Sequence, residues 1–230
     1  MQKHDTRPFA LVVAVGSIAL LATSAEGAPM KPRLQTGPDA EITHDGLHRV
    51  DKSVMDAAWV KPNLDLSGYT KLMLVSAGIT FKEDPDYRGP LDRSATEFPI
   101  SPENRERLQN TVREEFLEEF EKLERYEIVS EPGPGVLMLV GGILDVISRV
   151  PPERASRGGV YLTSGGDATL VLELRDSVTN EILARAADRR SAESAFAFEV
   201  NTVTAWSEVR GLAANWARLL VNRLEELNGV

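Results

Sequence analysis

The pattern of apolar and polar positions divides the chain into segments that predict different elements. The densest apolar run after the N-terminus extends from Gly135 to Val150 and ends at Pro151-Pro152. A run of this length that is bounded by glycine and proline predicts a long, buried central strand. Gly141 and Gly142 in its middle carry no side chain, so we expect a bulge or a close approach by another element there.

Alternating patterns predict the strands that pair with this one. Residues 69–81 have apolar side chains on both faces and predict one strand, and residues 126–129 predict a short strand. Residues 168–176 and 181–186 predict a hairpin, because Asp176 and Asn180 between them suit a turn. Residues 45–62 predict a short strand and a turn of helix over the sheet edge. Long polar loops are expected at 82–99 and 151–166.

Two segments have the spacing of amphipathic helices. Ser101-Pro102-Glu103 predicts a helix start that is capped by serine, and the apolar stripe that follows predicts an end near Arg125. The second helix is predicted at 203–227. Trp206 and Trp216 lie in its apolar stripe, where covering the sheet is favoured over docking a partner.

The element order of strand, helix, strands, hairpin and helix predicts an α/β (α+β) fold. We expect a two-layer sandwich, in which a mixed sheet of four to five strands carries two amphipathic helices on one face.

The N-terminal residues have the layout of a secretory signal peptide. Lys3 and Arg7 precede the uncharged run Ala10 to Ala22, and small residues follow it. This run is shorter than a spanning helix requires; an uncut membrane anchor and a buried helix are the alternatives. We predict a signal peptide at 1–25, a flexible leader at 26–44 and a single α/β domain at 45–230.

Composition excludes several classes of function. The 230 residues include no cysteine and carry a net charge of −9. Without cysteine, the chain has no disulfide, thiol nucleophile, Cys-ligated zinc or lipidated N-terminus. We therefore expect a soluble periplasmic protein without a stable membrane anchor after cleavage. The negative charge opposes phosphate backbones, so nucleic acid is not an expected partner.

Candidate catalytic and metal-binding patterns are weak. His44 and His48 lie four residues apart, but Gly46 disfavours the helix that would bring them together. Gly133-Pro134-Gly135 is followed by a strand and not by the helix that a dinucleotide site needs. The carboxylates from 114 to 124 fit the solvated side of the first helix. We predict no catalytic residue, metal site or cofactor.

The predicted binding residues lie in the two long loops. Arg154 and Arg157 lie in a loop with glycines at 158–159 and 165–166, and Asp86 and Arg88 lie in the first loop. Arginine in a loop can bind a carboxylate or phosphate in a bidentate manner.

Three segments carry a family resemblance. Residues 65–74 form a turn that leads into a strand, residues 136–145 end in Gly-Gly-Ile-Leu-Asp, and residues 172–183 span the hairpin. Together they resemble the domain of unknown function 3313 (DUF3313) family of bacterial envelope proteins, which are often lipoproteins. The element order is also similar to periplasmic assembly accessories such as the curli secretion lipoprotein and activators of penicillin-binding proteins. The resemblance brings no catalytic residues.

These observations favour a non-enzymatic exported protein that acts as an interaction or accessory module for another envelope protein. We expect its contact surface at loops 82–100 and 151–166 or at an exposed sheet edge. Two alternatives stay open: an enzyme with an unrecognised carboxylate and arginine site, and a small-ligand carrier with an apolar cavity under one helix.

Overall fold

The structure is a computed structural model that describes residues 32–83, 86–89, 96–150, 161–199 and 202–226. The strands are β1 (Arg33–Leu34), β2 (His48–Asp51), β3 (Ala57–Val60), β4 (Lys71–Phe81), β5 (Glu127–Val129), β6 (Val136–Ser148), β7 (Tyr161–Asp176) and β8 (Ile182–Glu199). The helices are α1 (Pro102–Phe120) and α2 (Thr202–Glu226). The predicted signal peptide lies outside the described residues, as do Arg154 and Arg157.

The described strands form one mixed sheet of eight strands in the order β1-β2-β3-β8-β7-β6-β4-β5. β4 pairs in parallel with both β5 and β6, and the other pairs are antiparallel. The predicted α+β class is confirmed, but the prediction of four to five strands is too low.

The strands beyond the predicted number come from segments in which apolar and polar side chains do not clearly alternate. Residues 48–51 and 57–60 form β2 and β3, where a strand and a helical turn were predicted. The polar and Ala-rich passage after Ala186 continues β8 as far as Glu199. Likewise, residues 161–166 belong to β7 and not to the predicted loop. Hydrogen bonding to neighbouring strands extends these segments beyond what their side chains signal.

Part of the predicted leader 26–44 is hydrogen-bonded in the structure. Arg33 and Leu34 pair with Asp51 and Val50 in β2, and the Gln35 amide donates to the Arg49 carbonyl at 2.8 Å. The proposed boundary at residue 45 stays a prediction.

β6 is the predicted long, buried strand, and it lies between β4 and β7. Its two glycines, Gly141 and Gly142, allow the close approach of another element that the sequence predicted; at Gly142 this element is β4. A Cβ atom on Gly142 would lie 3.2 Å from the Ala77 Cβ and 3.4 Å from the Gly78 carbonyl oxygen. The pairing of Ser76 with Gly141 and of Gly78 with Gly142 leaves Ala77 as an extra residue, so the bulge is on β4.

Both helices share one hydrophobic core with the sheet. Buried side chains of α1 and α2 cluster with those of the central strands; the cluster includes Leu108, Phe120, Trp216, Ala217, Leu220, Leu72, Leu137, Leu139, Leu170, Leu172 and Leu174. Trp216 is only 2% exposed, as the predicted role of covering the sheet requires. Since side chains alternate along a strand, the helices occupy one face of the central strands.

The predicted capping and turn chemistry is present. The Ser101 hydroxyl accepts a hydrogen bond from the Asn104 amide at 3.3 Å at the start of α1. Asp176 accepts hydrogen bonds from the amides of Val178 and Thr179, at 3.0 and 2.7 Å, in the turn between β7 and β8. Asn180 has φ of 61°. α1 ends at Phe120, five residues before the predicted end near Arg125.

Candidate functional site

Strand direction brings the two predicted loops to one end of the sheet. Because β4 and β6 are parallel, their C-terminal ends lie at the same end of the sheet, and the segments that follow them begin there. The Phe98 amide donates to the Ser148 carbonyl at 2.8 Å, so the first loop is tied to the end of β6. We call this the loop end: it comprises the ends of β4, β6 and β8 and the start of β7.

The predicted residues Asp86 and Arg88 are exposed at the loop end, on either side of Tyr87. The Tyr87 ring packs edge-on against the Phe98 ring, with centroids 6.2 Å apart. Arg154 and Arg157 lie outside the described residues, so the binding role of these four residues stays a prediction.

A partly buried ion pair joins Arg149, the residue after β6, to Asp167 of β7 at the loop end. The guanidinium of Arg149 donates to both carboxylate oxygens of Asp167, at 2.9 and 2.5 Å. The Ser191 hydroxyl donates to Asp167 at 2.6 Å, and Arg189 lies 3.6 Å from it. These partners, Arg149 first, lower the pKa of Asp167 from 3.8 to about 2 against the opposing effect of burial.

A second buried carboxylate lies three residues before Ser191 in β8, and by alternation it faces the helices. Asp188 is 2% exposed and accepts hydrogen bonds from the Trp216 indole at 2.8 Å and the Asp56 amide at 3.2 Å. The Arg190 Nε donates to the same carboxylate at 2.5 Å. Asp188 therefore couples β8 to α2 and to the residue before β3, and it holds the Arg190 guanidinium in place.

A groove of about 510 Å³ lies beside this cluster, between β8 and α2. Its lining combines charged, polar and apolar groups: Arg189, Arg190, Ser191, Glu208, Gly211, Leu212 and Asn215. β3 pairs with β8 only as far as Ala187, and no described strand pairs with Arg189–Ser191 on that side. The Arg189 amide there donates to the Asp56 carboxylate at 2.9 Å. The groove is thus bordered by the backbone edge of β8 on one side and by α2 on the other.

β4 has an unpaired edge of its own. β5 pairs with β4 only at Lys71–Met73, and no other described strand pairs with this side of β4. Residues 74–81 run along this edge towards the loop end, and Ser76, Ala77 and Gly78 are exposed. An unpaired strand edge presents backbone donors and acceptors that an extended segment of another chain can bind.

Asp167 and Glu173, which both lie in β7, are carboxylates suited to holding structure and poorly suited to acid–base catalysis. Burial raises the pKa of Glu173, but hydrogen bonds from Arg175 and Arg185 outweigh this effect and lower it. Asp167, with a pKa of about 2, is also a weak base at neutral pH. Within the described residues, no group of three or more His, Asp or Glu side chains is placed to hold a metal ion.

Sequence reasoning missed Arg149, Asp167 and Asp188. Asp188 continues the alternation of Ala184 and Ala186, and this register places it on the helix-facing side. That signal was available, but the predicted strand ended at Ala186. The partners of Asp167 are 18 and 24 residues away from it, so only the strand pairing identifies them.

Comparison with solved structures finds distant similarities. A Xanthomonas campestris protein of the DUF330 family is 11% identical, with a TM-score of 0.40 over 74% of this chain and 91% of its own. A PelC dodecamer from Paraburkholderia phytofirmans is 11% identical, with a TM-score of 0.33 over 71% and 94%. A neuraminyllactose-binding hemagglutinin homologue from Helicobacter pylori is 9% identical, with a TM-score of 0.36 over 70% and 91%. These TM-scores are too low for a functional comparison.

Comparison of the sequence with family models identifies the family of the chain. No curated protein matches the chain. The model of the family described as "Protein of unknown function (DUF3313)" matches residues 41–220, from the bridge before β2 into the last turns of α2. The chain therefore belongs to the DUF3313 family.

Proposed function

We propose that this protein is a non-enzymatic, exported accessory protein of the bacterial envelope, and that it binds another envelope protein through the unpaired edge of β4. The observation that carries the proposal is the edge at residues 74–81, which has no described strand partner on that side and is exposed at residues 76–78 and 80. An extended partner segment would add to the sheet as a further strand.

The bulge on β4 restricts which segments can pair with this edge. Gly78 has φ of 91°, and its amide donates to the Ser76 hydroxyl at 3.2 Å. A bulge increases the local twist, which disfavours indiscriminate pairing between flat edges. The adjoining loop, with Tyr87 packed on Phe98, would add side-chain contacts and hence selectivity.

The export component is supported by the residues of the N-terminus alone. Lys3, Arg7 and the apolar run from Ala10 to Ala22 form the pattern of a secretory signal. In the described part of the chain, no helix is both long and apolar enough to cross a membrane.

Export is tested with a reporter enzyme that becomes active only outside the cytoplasm. Residues 1–45 fused to the reporter should give activity, and deletion of Ala10–Ala22 should abolish it, because the apolar run is what the export machinery recognises. Cytoplasmic retention of the intact fusion would refute the export component.

Partner binding is tested by capture from a periplasmic extract, with the processed protein as bait. Ala77→Lys places a charge on the exposed β4 edge, whereas Val178→Lys places the same charge on the hairpin turn, where Val178 is 62% exposed. We expect a stoichiometric envelope protein with the wild type and with Val178→Lys, and its loss with Ala77→Lys.

Two results would contradict this proposal. Equal capture by both variants would exclude the β4 edge as the contact surface. Absence of any stoichiometric protein from the wild-type sample would exclude the accessory role itself.

A further inference from the structure

Gly211 is an exposed glycine in α2 beside the groove. It lies in the interior of a helix of 25 residues, where glycine is less favourable than alanine. Glycine is often required where two elements pack closely, but a Cβ atom on Gly211 would meet nothing within 4 Å. Packing within the described structure therefore does not explain this residue.

Gly211 belongs to a stripe of α2 that faces the groove. Glu208, Gly211 and Asn215 are spaced three and four residues apart, so they lie on one side of the helix, and all three line the groove. The missing side chain at Gly211 keeps the centre of this stripe open. Natural proteins depart from local preference at functional or strained sites.

The groove also has charged groups of both signs. Arg190 is fixed through its Nε by the buried Asp188, which leaves its terminal amino groups for another acceptor. Glu208 is partly buried and makes no hydrogen bond or ion pair with the described residues. The groove thus offers a cation for a carboxylate and an acceptor for an ammonium group.

We propose that this groove binds a short peptide in its zwitterionic form. The Arg190 guanidinium would bind the terminal carboxylate, Glu208 would bind the terminal ammonium group, and the backbone of β8 at Ser191 would bind the peptide bond between them. This inference is independent of the proposed function, since it uses a different strand edge and different side chains.

The test is a titration of the purified protein with L-alanyl-L-alanine, followed by calorimetry and by NMR shifts of the Gly211 and Asn215 amides. N-acetyl-L-alanyl-L-alanine, which lacks the ammonium group, and L-alanyl-L-alaninamide, which lacks the carboxylate, serve as matched probes. We expect the dipeptide to bind at least about 10-fold more tightly than either probe, because each lost charge leaves a groove group unpaired.

Two variants separate this role from a structural one. Gly211→Ala should raise the unfolding midpoint, because alanine favours the helix, and it should weaken dipeptide binding several-fold by filling the groove. Glu208→Gln should reduce the preference for the dipeptide over its acetylated form and leave the unfolding midpoint unchanged.

The inference is overturned by any of three results: no binding of the dipeptide at millimolar concentration, undiminished binding by Gly211→Ala, or an unchanged preference in Glu208→Gln. The capture experiment uses variants of β4, and the titration uses variants of α2. A failure to capture an envelope partner would therefore not affect the conclusion about dipeptide binding.

Discussion

Asp167 shows how a single residue stabilises the loop end. It is 9% exposed, yet it is charged at neutral pH because Arg149, Ser191 and Arg189 surround it. Its partners come from β8 and from Arg149, the residue that follows β6, so they join β7 to both of its neighbours. Removing one member of a buried pair leaves the other charge without compensation, which costs more than the pair itself contributes.

We predict that Asp167→Asn lowers the free energy of unfolding by about 2–3 kcal/mol, because Arg149 is left partly buried without a counter-charge. Urea denaturation monitored by circular dichroism measures this change. The control is Glu127→Gln, which removes a carboxylate that is 69% exposed and 3.8 Å from Lys71. It should cost less than about 0.5 kcal/mol. Equal effects of the two substitutions would contradict the structural role of Asp167.

The same residue gives a prediction for acid. A carboxyl whose pKa is lowered on folding stabilises the protein above its unfolded pKa, and this contribution is lost as the pH falls through the folded value. For Asp167 the window runs from 3.8 down to about 2. The difference corresponds to about 2 kcal/mol. Wild-type stability should therefore fall more steeply than that of Asp167→Asn between these pH values, in parallel urea titrations; parallel curves would argue against it.

At the scale of the elements, the contact between β6 and β7 depends on the absence of a side chain at Gly166 in β7. Gly166 pairs with Ser148 beside a register shift in the β6–β7 ladder. A Cβ atom on Gly166 would lie 2.0 Å from the Ile147 carbonyl oxygen, which is a backbone atom that cannot rotate away. This strand therefore tolerates only glycine at that position without moving the neighbouring backbone.

We predict that Gly166→Ala destabilises the protein by at least about 2 kcal/mol, because the backbone of β6 must shift to admit the methyl group. Gly68→Ala is the matched control, since a Cβ atom there meets nothing within 4 Å and its φ is negative. Thermal unfolding should show a lower midpoint for the first variant and no loss for the second. An unchanged midpoint for Gly166→Ala would refute this packing.

At the scale of the whole molecule, charge limits the choice of partners. The chain carries 35 acidic against 26 basic side chains. Ion pairs between the helices, Glu115–Arg210 at 3.0 Å and Glu119–Arg218 at 3.4 Å, use some of the basic groups within the fold. Repulsion from a nucleic-acid backbone therefore acts over the molecule as a whole.

We predict that the purified protein does not bind duplex DNA at physiological salt. Fluorescence anisotropy of a labelled 20-base-pair duplex (about two helical turns) should stay constant up to micromolar protein. A basic DNA-binding protein provides the positive control. A rise in anisotropy that weakens steeply with added salt would show a basic surface and contradict this expectation.

Local chemistry determined much of this protein without tertiary information. The Ser101 cap, the Asp176–Asn180 turn, the buried run at Gly135–Val150 and the two amphipathic stripes each depend on neighbouring residues, and the structure has these features where they were predicted. The composition likewise excluded cysteine chemistry, because that argument requires only a count.

Only the tertiary structure decided how far the sheet extends and which charges meet. The strands β2 and β3 and the outer parts of β7 and β8 form because neighbouring strands supply hydrogen bonds, and no local pattern records those neighbours. The Arg149–Asp167 pair and the groove between β8 and α2 likewise join residues that are far apart in the chain. The physical reason is that strand register sets these distances, and register is a property of the folded sheet.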